Sequence, residues 1–225
     1  AKHARLGVFQ ELSFSFKRQL PDSTRCLKGW SLVCPSRSAL PMPKALLDLI
    51  VLLLVTGGRA WHAMALLVCF DGYLRGGELC ALTTADILLP GMGVGVGLNA
   101  CGLRVAHAKT GRNQWVWIDD PLAVNVLRFL KTTVQPGVPM FGATQAQLND
   151  SIQWAIDVLG LSPGLHFTLH SLRHGKASYD FLRRFPPDEI RRLGRWSYFK
   201  SMDHYLQSVG AVILTLNLPP PLLAL

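Results

Sequence analysis

Residues 102–118 read GLRVAHAKTGRNQWVWI, and here the character of the chain changes. Two short runs, Leu103-Arg104-Val105 and Trp115-Val116-Trp117-Ile118, flank Lys109-Thr110-Gly111-Arg112-Asn113. Branched and aromatic residues on either side of a polar, glycine-containing segment predict an antiparallel hairpin, here with a basic tip. Over most of residues 44–208 on either side of it the apolar spacing is helical.

Upstream, the apolar residues from Lys44 to Val55 suit a buried helix that Gly57-Gly58 would stop. Further helices are expected at about 61–70 and 77–82, and Pro90-Gly91-Met92-Gly93 with Gly95 and Gly97 reads as loop or irregular strand. Downstream, helical spacing covers 121–133, 145–159, 169–182, 187–194 and 200–208. Pro136-Gly137, Ser162-Pro163-Gly164, Pro186-Pro187 and the Gly194 region mark the breaks. The expected fold class is therefore mainly α with a small antiparallel β-sheet, an α+β chain. Residues 1–42 lack a sustained helical period and read as a lead-in or a truncated neighbouring domain. Residues 43–210 form the main domain, and 211–225, with Pro219-Pro220-Pro221, a tail. There is no internal repeat and no low-complexity segment.

The bulk numbers narrow the class. Twenty-three Lys and Arg against 14 Asp and Glu leave a net charge of +9, which makes a polyanion the first partner to consider. Cys26, Cys34, Cys69, Cys80 and Cys101 contain no CxxC pair, and an odd number suits buried thiols in a reducing compartment better than a disulfide framework. The most apolar stretch, Ala45 to Phe70, is broken by Asp48, Gly57-Gly58-Arg59 and His62. Neither half reaches the roughly 20 apolar residues a membrane span needs, so two core helices joined by a glycine turn are expected. The N-terminus shows no charged, apolar, small-residue order, so no secretory signal is expected, and the start at Ala1 reads as a fragment or processed chain.

Three clusters carry chemistry. In Gly72-Tyr73-Leu74-Arg75-Gly76-Gly77-Glu78-Leu79 an arginine precedes a helix with a glutamate three residues on, which lets the carboxylate brace a guanidinium fork suited to phosphate. In His170-Ser171-Leu172-Arg173-His174 two histidines and an arginine occupy adjacent turns of one helix. Leu193-Gly194-Arg195-Trp196 is followed by Tyr205, an indole and a phenol on consecutive short helices. His166, His170 and His174 would line up as a metal stripe on a continuous helix, but Arg173 within it repels a cation and Gly164 starts the helix after His166. No metal is assigned. The glycines from Gly91 to Gly97 do not form GxxxxGK[ST], and no nucleotide is assigned.

From about Lys44 to Leu206 these clusters resemble, in order, identity and spacing, the catalytic domain of the tyrosine recombinases, the phage integrase family. Arg75 with Glu78-Leu79 is similar to that family's first arginine motif, and His170-Ser171-Leu172-Arg173-His174 to its histidine-x-x-arginine motif. Trp196 with Tyr205 nine residues on resembles the histidine-or-tryptophan position and the nucleophilic tyrosine, and Lys109 falls where the family keeps its catalytic lysine.

The resemblance implies a site-specific recombinase or integrase. The Tyr205 phenolate would attack a DNA phosphodiester, leaving a 3′-phosphotyrosyl enzyme and a free 5′-hydroxyl. A covalent intermediate splits one hard displacement in two and conserves the bond energy for resealing. Arg75 and Arg173 would clamp the non-bridging oxygens, Lys109 would protonate the leaving oxygen, and Trp196 would donate its indole N–H. His170 would assist at the phosphate, while Glu78 and His174 would support these groups from behind. Double-stranded DNA is the implied partner, with self-association on it, no membrane and no small-molecule cofactor. The implied location is intracellular, with the DNA, in a nucleus or a prokaryotic cytoplasm. A catalytically silent DNA-binding module and a strand-passing topoisomerase are the rival readings.

The chain departs from the family pattern in two places. Arg195 stands directly after Gly194, where many members place histidine, and Asp71 stands near a common threonine. The stretch before Lys44 is also too short for the separate helical domain such enzymes use to close around DNA.

Overall fold

The computed structural model describes residues 39–91, 99–108, 111–161, 165–197 and 202. All of them belong to one compact unit, Ala39–Leu225. Seven helices and a three-stranded sheet make up the described residues: α1 Lys44–Thr56, α2 Ala60–Asp71, α3 Gly76–Ala81, β1 Ile87–Leu88, β2 Cys101–Ala108, β3 Gly111–Ile118, α4 Pro121–Thr133, α5 Gln145–Val158, α6 Leu169–Leu182 and α7 Pro187–Leu193. A single 3-10 turn, Thr84–Asp86, joins α3 to β1.

The expected class, mainly helical with one small antiparallel sheet, is the observed one. Helix α2 is the hub. It packs against α1, α3, α4, α5 and α6, and Ala63 and Ala65–Asp71 are all buried. A helix apolar all round belongs inside a protein, which is why Ala45 to Phe70 looks membrane-like in sequence. Gly57 and Gly58 break that stretch into α1 and α2. Among the described residues no helix is long and apolar enough to cross a membrane.

The outer helices are set by their caps. Asp120 accepts from the backbone N–H groups of Leu122 and Ala123 ahead of Pro121 at the first position of α4, a start that suits proline's missing donor. Helix α4 then buries Ala123, Val124, Val126, Leu127 and Leu130. At the head of α5 the Thr144 hydroxyl accepts from Gln147 N–H while the Gln147 amide oxygen accepts from Thr144 N–H, a reciprocal capping box.

The sheet runs β1-β2-β3, each pair antiparallel. Cys101 pairs with Ile118 and Leu103 with Val116. Cys101, Leu103, Val105, Val116 and Ile118 are buried, whereas Trp115 and Trp117 are 53% and 41% exposed, so alternation sends one face to the core and the other to solvent. The strands are longer than the two short runs of sequence imply. Ala108 pairs with Gly111, so Gly111, Arg112 and Asn113, expected in the tip, belong to β3.

The packed domain also begins ahead of residue 43. Met42 is fully buried and its N–H donates to Ser171 O of α6. The crossing is tight at Gly175, where a Cβ would lie 2.1 Å from Met42 O, so no larger residue fits. Of the cysteines, Cys69 and Cys101 are buried free thiols and Cys80 is a half-buried one.

Candidate active site

The two arginine motifs, far apart in sequence, are joined at one backbone oxygen. Helix α2 ends at Asp71 and the chain reverses through Tyr73, whose φ of 49° is left-handed. For a residue with a Cβ that conformation costs about 1 kcal/mol or more, and the bonds made here offset it. The Tyr73 phenol donates to Asp180 Oδ2. Its carbonyl accepts from Arg173 Nη1 and, at 3.3 Å, from Arg195 Nη2.

Arg75 follows as the residue that caps α3. Glu78 Oε2 accepts its backbone N–H at 3.0 Å, and Glu78 Oε1 accepts its Nη1 at 2.7 Å. One carboxylate thus fixes both the main chain and the guanidinium of Arg75, as the spacing predicts. The Arg75 side chain stays 24% exposed, whereas the Glu78 side chain is buried. A second cation holds Glu78, for Arg195 Nη2 donates to Oε2 at 2.7 Å. Burial opposes ionisation of Glu78, but Arg195 and then the Arg75 main-chain and guanidinium donors outweigh it and hold the carboxyl below its ordinary value.

Arg173 is completely buried. Its guanidinium donates to Tyr73 O and Gly194 O and lies 4.6 Å from the centroid of the Trp196 ring. That ring meets Tyr73 edge-on at 5.8 Å. The carbonyls of Tyr73, just past α2, and of Gly194, just past α7, thus engage both terminal nitrogens of Arg173. The Trp196 ring packs with Tyr73, Ala177, Ile190 and Met202. At Gly194 a Cβ would lie 1.8 Å from the Trp196 ring, so glycine is required for the indole to lie where it does.

His170 is exposed at the start of α6, and its ring stands edge-on to the buried His174 at 4.8 Å. His166 precedes Leu169, where α6 begins, so the three histidines do not share one helix. Lys109, between Ala108 and Gly111, and Tyr205 lie outside the described residues. Met202, three residues before Tyr205, is described, buried and helical.

Sequence reasoning missed an adjoining layer of buried charge. Lys176 Nζ contacts Asp71 Oδ1 at 3.2 Å and Asp180 Oδ1 at 3.1 Å. Asp71 Oδ2 also accepts the N–H groups of Asp119 and Asp120, and unlike a threonine its carboxylate supplies a negative charge to Lys176. Burial opposes the Lys176 charge, yet Asp71 and Asp180 outweigh it and hold its pKa above the usual lysine value. The i, i+4 spacing of Lys176 and Asp180 was the available signal. Arg195 carried no such local signal, because its partner Glu78 is 117 residues away.

Among the described residues Arg195 pairs with Glu78 and Lys176 with Asp71 and Asp180, Arg173 donates to main-chain carbonyls, and a fourth buried carboxylate, Asp86, pairs with Arg104. Buried charges need such partners. Arg75 also pairs with Glu78, and its side chain is partly exposed. The arrangement can therefore present one braced guanidinium to an anion at the surface.

No family model matches the chain, and no curated protein matches it in sequence. Solved structures do match. A lambda integrase dimer bound to a COC′ core site is 17% identical with a TM-score of 0.59, over 78% of this chain and 50% of that one. The XerH site-specific recombinase in a pre-cleavage complex with its difH substrate is 16% identical with a TM-score of 0.57, over 74% and 50%. The Tn1549 transposon integrase in complex with circular intermediate DNA is 15% identical with a TM-score of 0.56, over 96% and 84%. The chain spans about half the length of the XerH and lambda integrase chains. What these proteins share with it is the architecture: the chain has the fold of the tyrosine-recombinase catalytic domain.

Proposed function

We propose that the protein is a DNA strand transferase, a site-specific recombinase or integrase that works through a tyrosyl–DNA intermediate. The observation that carries this reading is the meeting of the two arginine motifs at Tyr73 O, with Arg75 braced by Glu78 and left partly exposed. The fold shared with recombinases solved on DNA and the net charge of +9 support it.

In this scheme Arg75, aimed by Glu78, binds a non-bridging oxygen of the scissile phosphate and neutralises charge that grows in the five-coordinate transition state. Arg173 acts from behind, fixing Tyr73 and Gly194 and adding positive potential. Tyr205, its phenol proton lost to solvent, attacks phosphorus through the phenolate Oη, a P–O bond forms, and the bond to the 5′ oxygen breaks. Lys109 supplies the proton that this leaving oxygen takes up, and His170 assists from the exposed end of α6. A phenol with a pKa near 10 needs cations around the phosphate to react at neutral pH. Self-association on DNA would bring two or more such sites together, inside the cell where the DNA is.

One observation favours a second reading. Both terminal nitrogens of Arg173 are engaged by main-chain carbonyls, as suits a silent DNA-binding module that retains the fold. The two separate on a nicked duplex substrate. A strand transferase forms a covalent protein–DNA adduct that Tyr205→Phe abolishes. A silent module binds the duplex with strong salt dependence and forms none.

A further inference from the structure

We propose that Arg195 is a positioning residue of this site: by gripping Glu78 Oε2 it holds the carboxylate whose other oxygen aims Arg75, and by donating to Tyr73 O it ties that brace to Arg173. The inference rests on the strand-transfer reading for what Arg75 does, but not for the brace itself.

The geometry is specific. Arg195 is 9% exposed and adopts a left-handed φ of 57° directly after the turn that ends α7. A residue with a Cβ does not take that conformation without compensation, and here the compensation is two bonds made by one nitrogen, Nη2 to Glu78 Oε2 at 2.7 Å and to Tyr73 O at 3.3 Å. Its Nε and Nη1 have no hydrogen-bond partner among the described residues. Glu78 is therefore its one carboxylate among them. A guanidinium buried with a single anion is committed to that anion.

Glu78 in turn divides its labour. Oε1 holds the Arg75 guanidinium, while Oε2 takes Arg195 and the Arg75 main chain. Without Arg195, Oε2 keeps only the backbone N–H, and a buried carboxyl with one fewer cation protonates more readily. A protonated Glu78 no longer attracts Arg75 as an ion. Its other charged or titratable neighbours are Cys69 of α2, whose thiol burial pushes well above its ordinary value, and Arg173 of α6, which reaches the same carbonyl. Neither replaces the lost contact, because the thiol stays neutral and Arg173 donates to Tyr73 O and Gly194 O.

The test uses the intact chain. It contains only three glutamates, Glu11, Glu78 and Glu189, so selective carboxyl labelling resolves the Glu78 titration by NMR. The Glu78 midpoint should lie below the ordinary glutamate value in the wild type, rise about tenfold in proton affinity in Arg195→Met, and return most of the way in Arg195→Lys. Adduct formation on nicked DNA by Arg195→Met should acquire an acid limb that follows this midpoint and recover as the pH is raised. An ordinary Glu78 midpoint in the wild type overturns the proposal even if Arg195→Met fails to fold. So does a folded Arg195→Met protein with an unshifted midpoint. Absence of any wild-type adduct, with the Glu78 midpoint behaving as stated, would instead count against the strand-transfer reading and leave the brace standing.

Discussion

Arg173 and Arg195, one on α6 and the other just past α7, donate to the same main-chain oxygen, the carbonyl of Tyr73. Two like charges share one acceptor here because each has a second partner, Gly194 O for Arg173 and Glu78 for Arg195. The residue that supplies the shared oxygen is itself pinned by its phenol to Asp180. The position of Arg75 is thus determined by two other arginines and one carboxylate.

The arginines should separate by what they lose. Arg173→Ala removes the donor from Gly194 O and the ring partner of Trp196, and breaking a buried charged contact of this kind costs about 3 to 5 kcal/mol. Arg75→Ala removes a partly exposed side chain and should cost about 1 kcal/mol or less, yet slow adduct formation by about 10²-fold or more, as loss of a transition-state donor does. Urea titrations and adduct kinetics read the two effects. Equal stability losses would mean that Arg75 is structural.

Gly194→Ala should displace the Trp196 indole. The added Cβ would sit 1.8 Å from the ring, and inserting a methyl into packed surroundings costs about 1 to 3 kcal/mol. Tryptophan fluorescence should shift to the red as the ring gains water. An unchanged spectrum would show that the turn can move instead.

Lys176→Met leaves Asp71 and Asp180 buried with no cation between them. The expected loss is about 3 to 5 kcal/mol at neutral pH, partly recovered on acidification as a carboxyl protonates. Thermal unfolding at pH 5 and pH 7 measures both parts, and a loss that did not shrink at the lower pH would be inconsistent with the ion cluster.

Stability should fall on the acid side through Glu78 and Asp86. Burial opposes their ionisation, but Arg195 and Arg75 at Glu78, and Thr83 with Arg104 at Asp86, hold both below the ordinary carboxylate value. A folded-state pKa below the unfolded one gives stability that is complete above about pH 5 and is lost as pH falls through the folded value. Lys176 works in the other direction: held above the usual lysine value by Asp71 and Asp180 against burial, its contribution is present below about pH 10 and lost as pH rises through the folded value. Urea midpoints across the pH range should show a plateau between these limits, and Glu78→Gln should flatten the acid side.

The helices were legible because helical spacing and turn residues act locally. Helix α4 spans 121–133 and α6 spans 169–182 in both sequence and structure. The hairpin was legible in kind but not in extent, since Gly111 and Arg112 pair in register with Ala108 and His107 despite glycine's poor strand propensity. Arg75 with Glu78 was readable because three residues separate them. The inward turn of Arg173 and the grip of Arg195 on Glu78 were not, for both depend on contacts about 100 residues away in sequence that no local pattern encodes.

The most direct measurement is the site of covalent attachment. Residues 201–225 contain no Lys or Arg and one tyrosine, Tyr205, so trypsin releases them after Lys200 as a single peptide. After incubation with nicked duplex DNA of randomised sequence and digestion with nuclease and trypsin, that peptide should carry the mass of a 3′-linked nucleotide on Tyr205, and Arg75→Ala should carry little of it. An adduct on Tyr73, Tyr179 or Tyr198, or none at any tyrosine while the duplex is bound, would contradict the account.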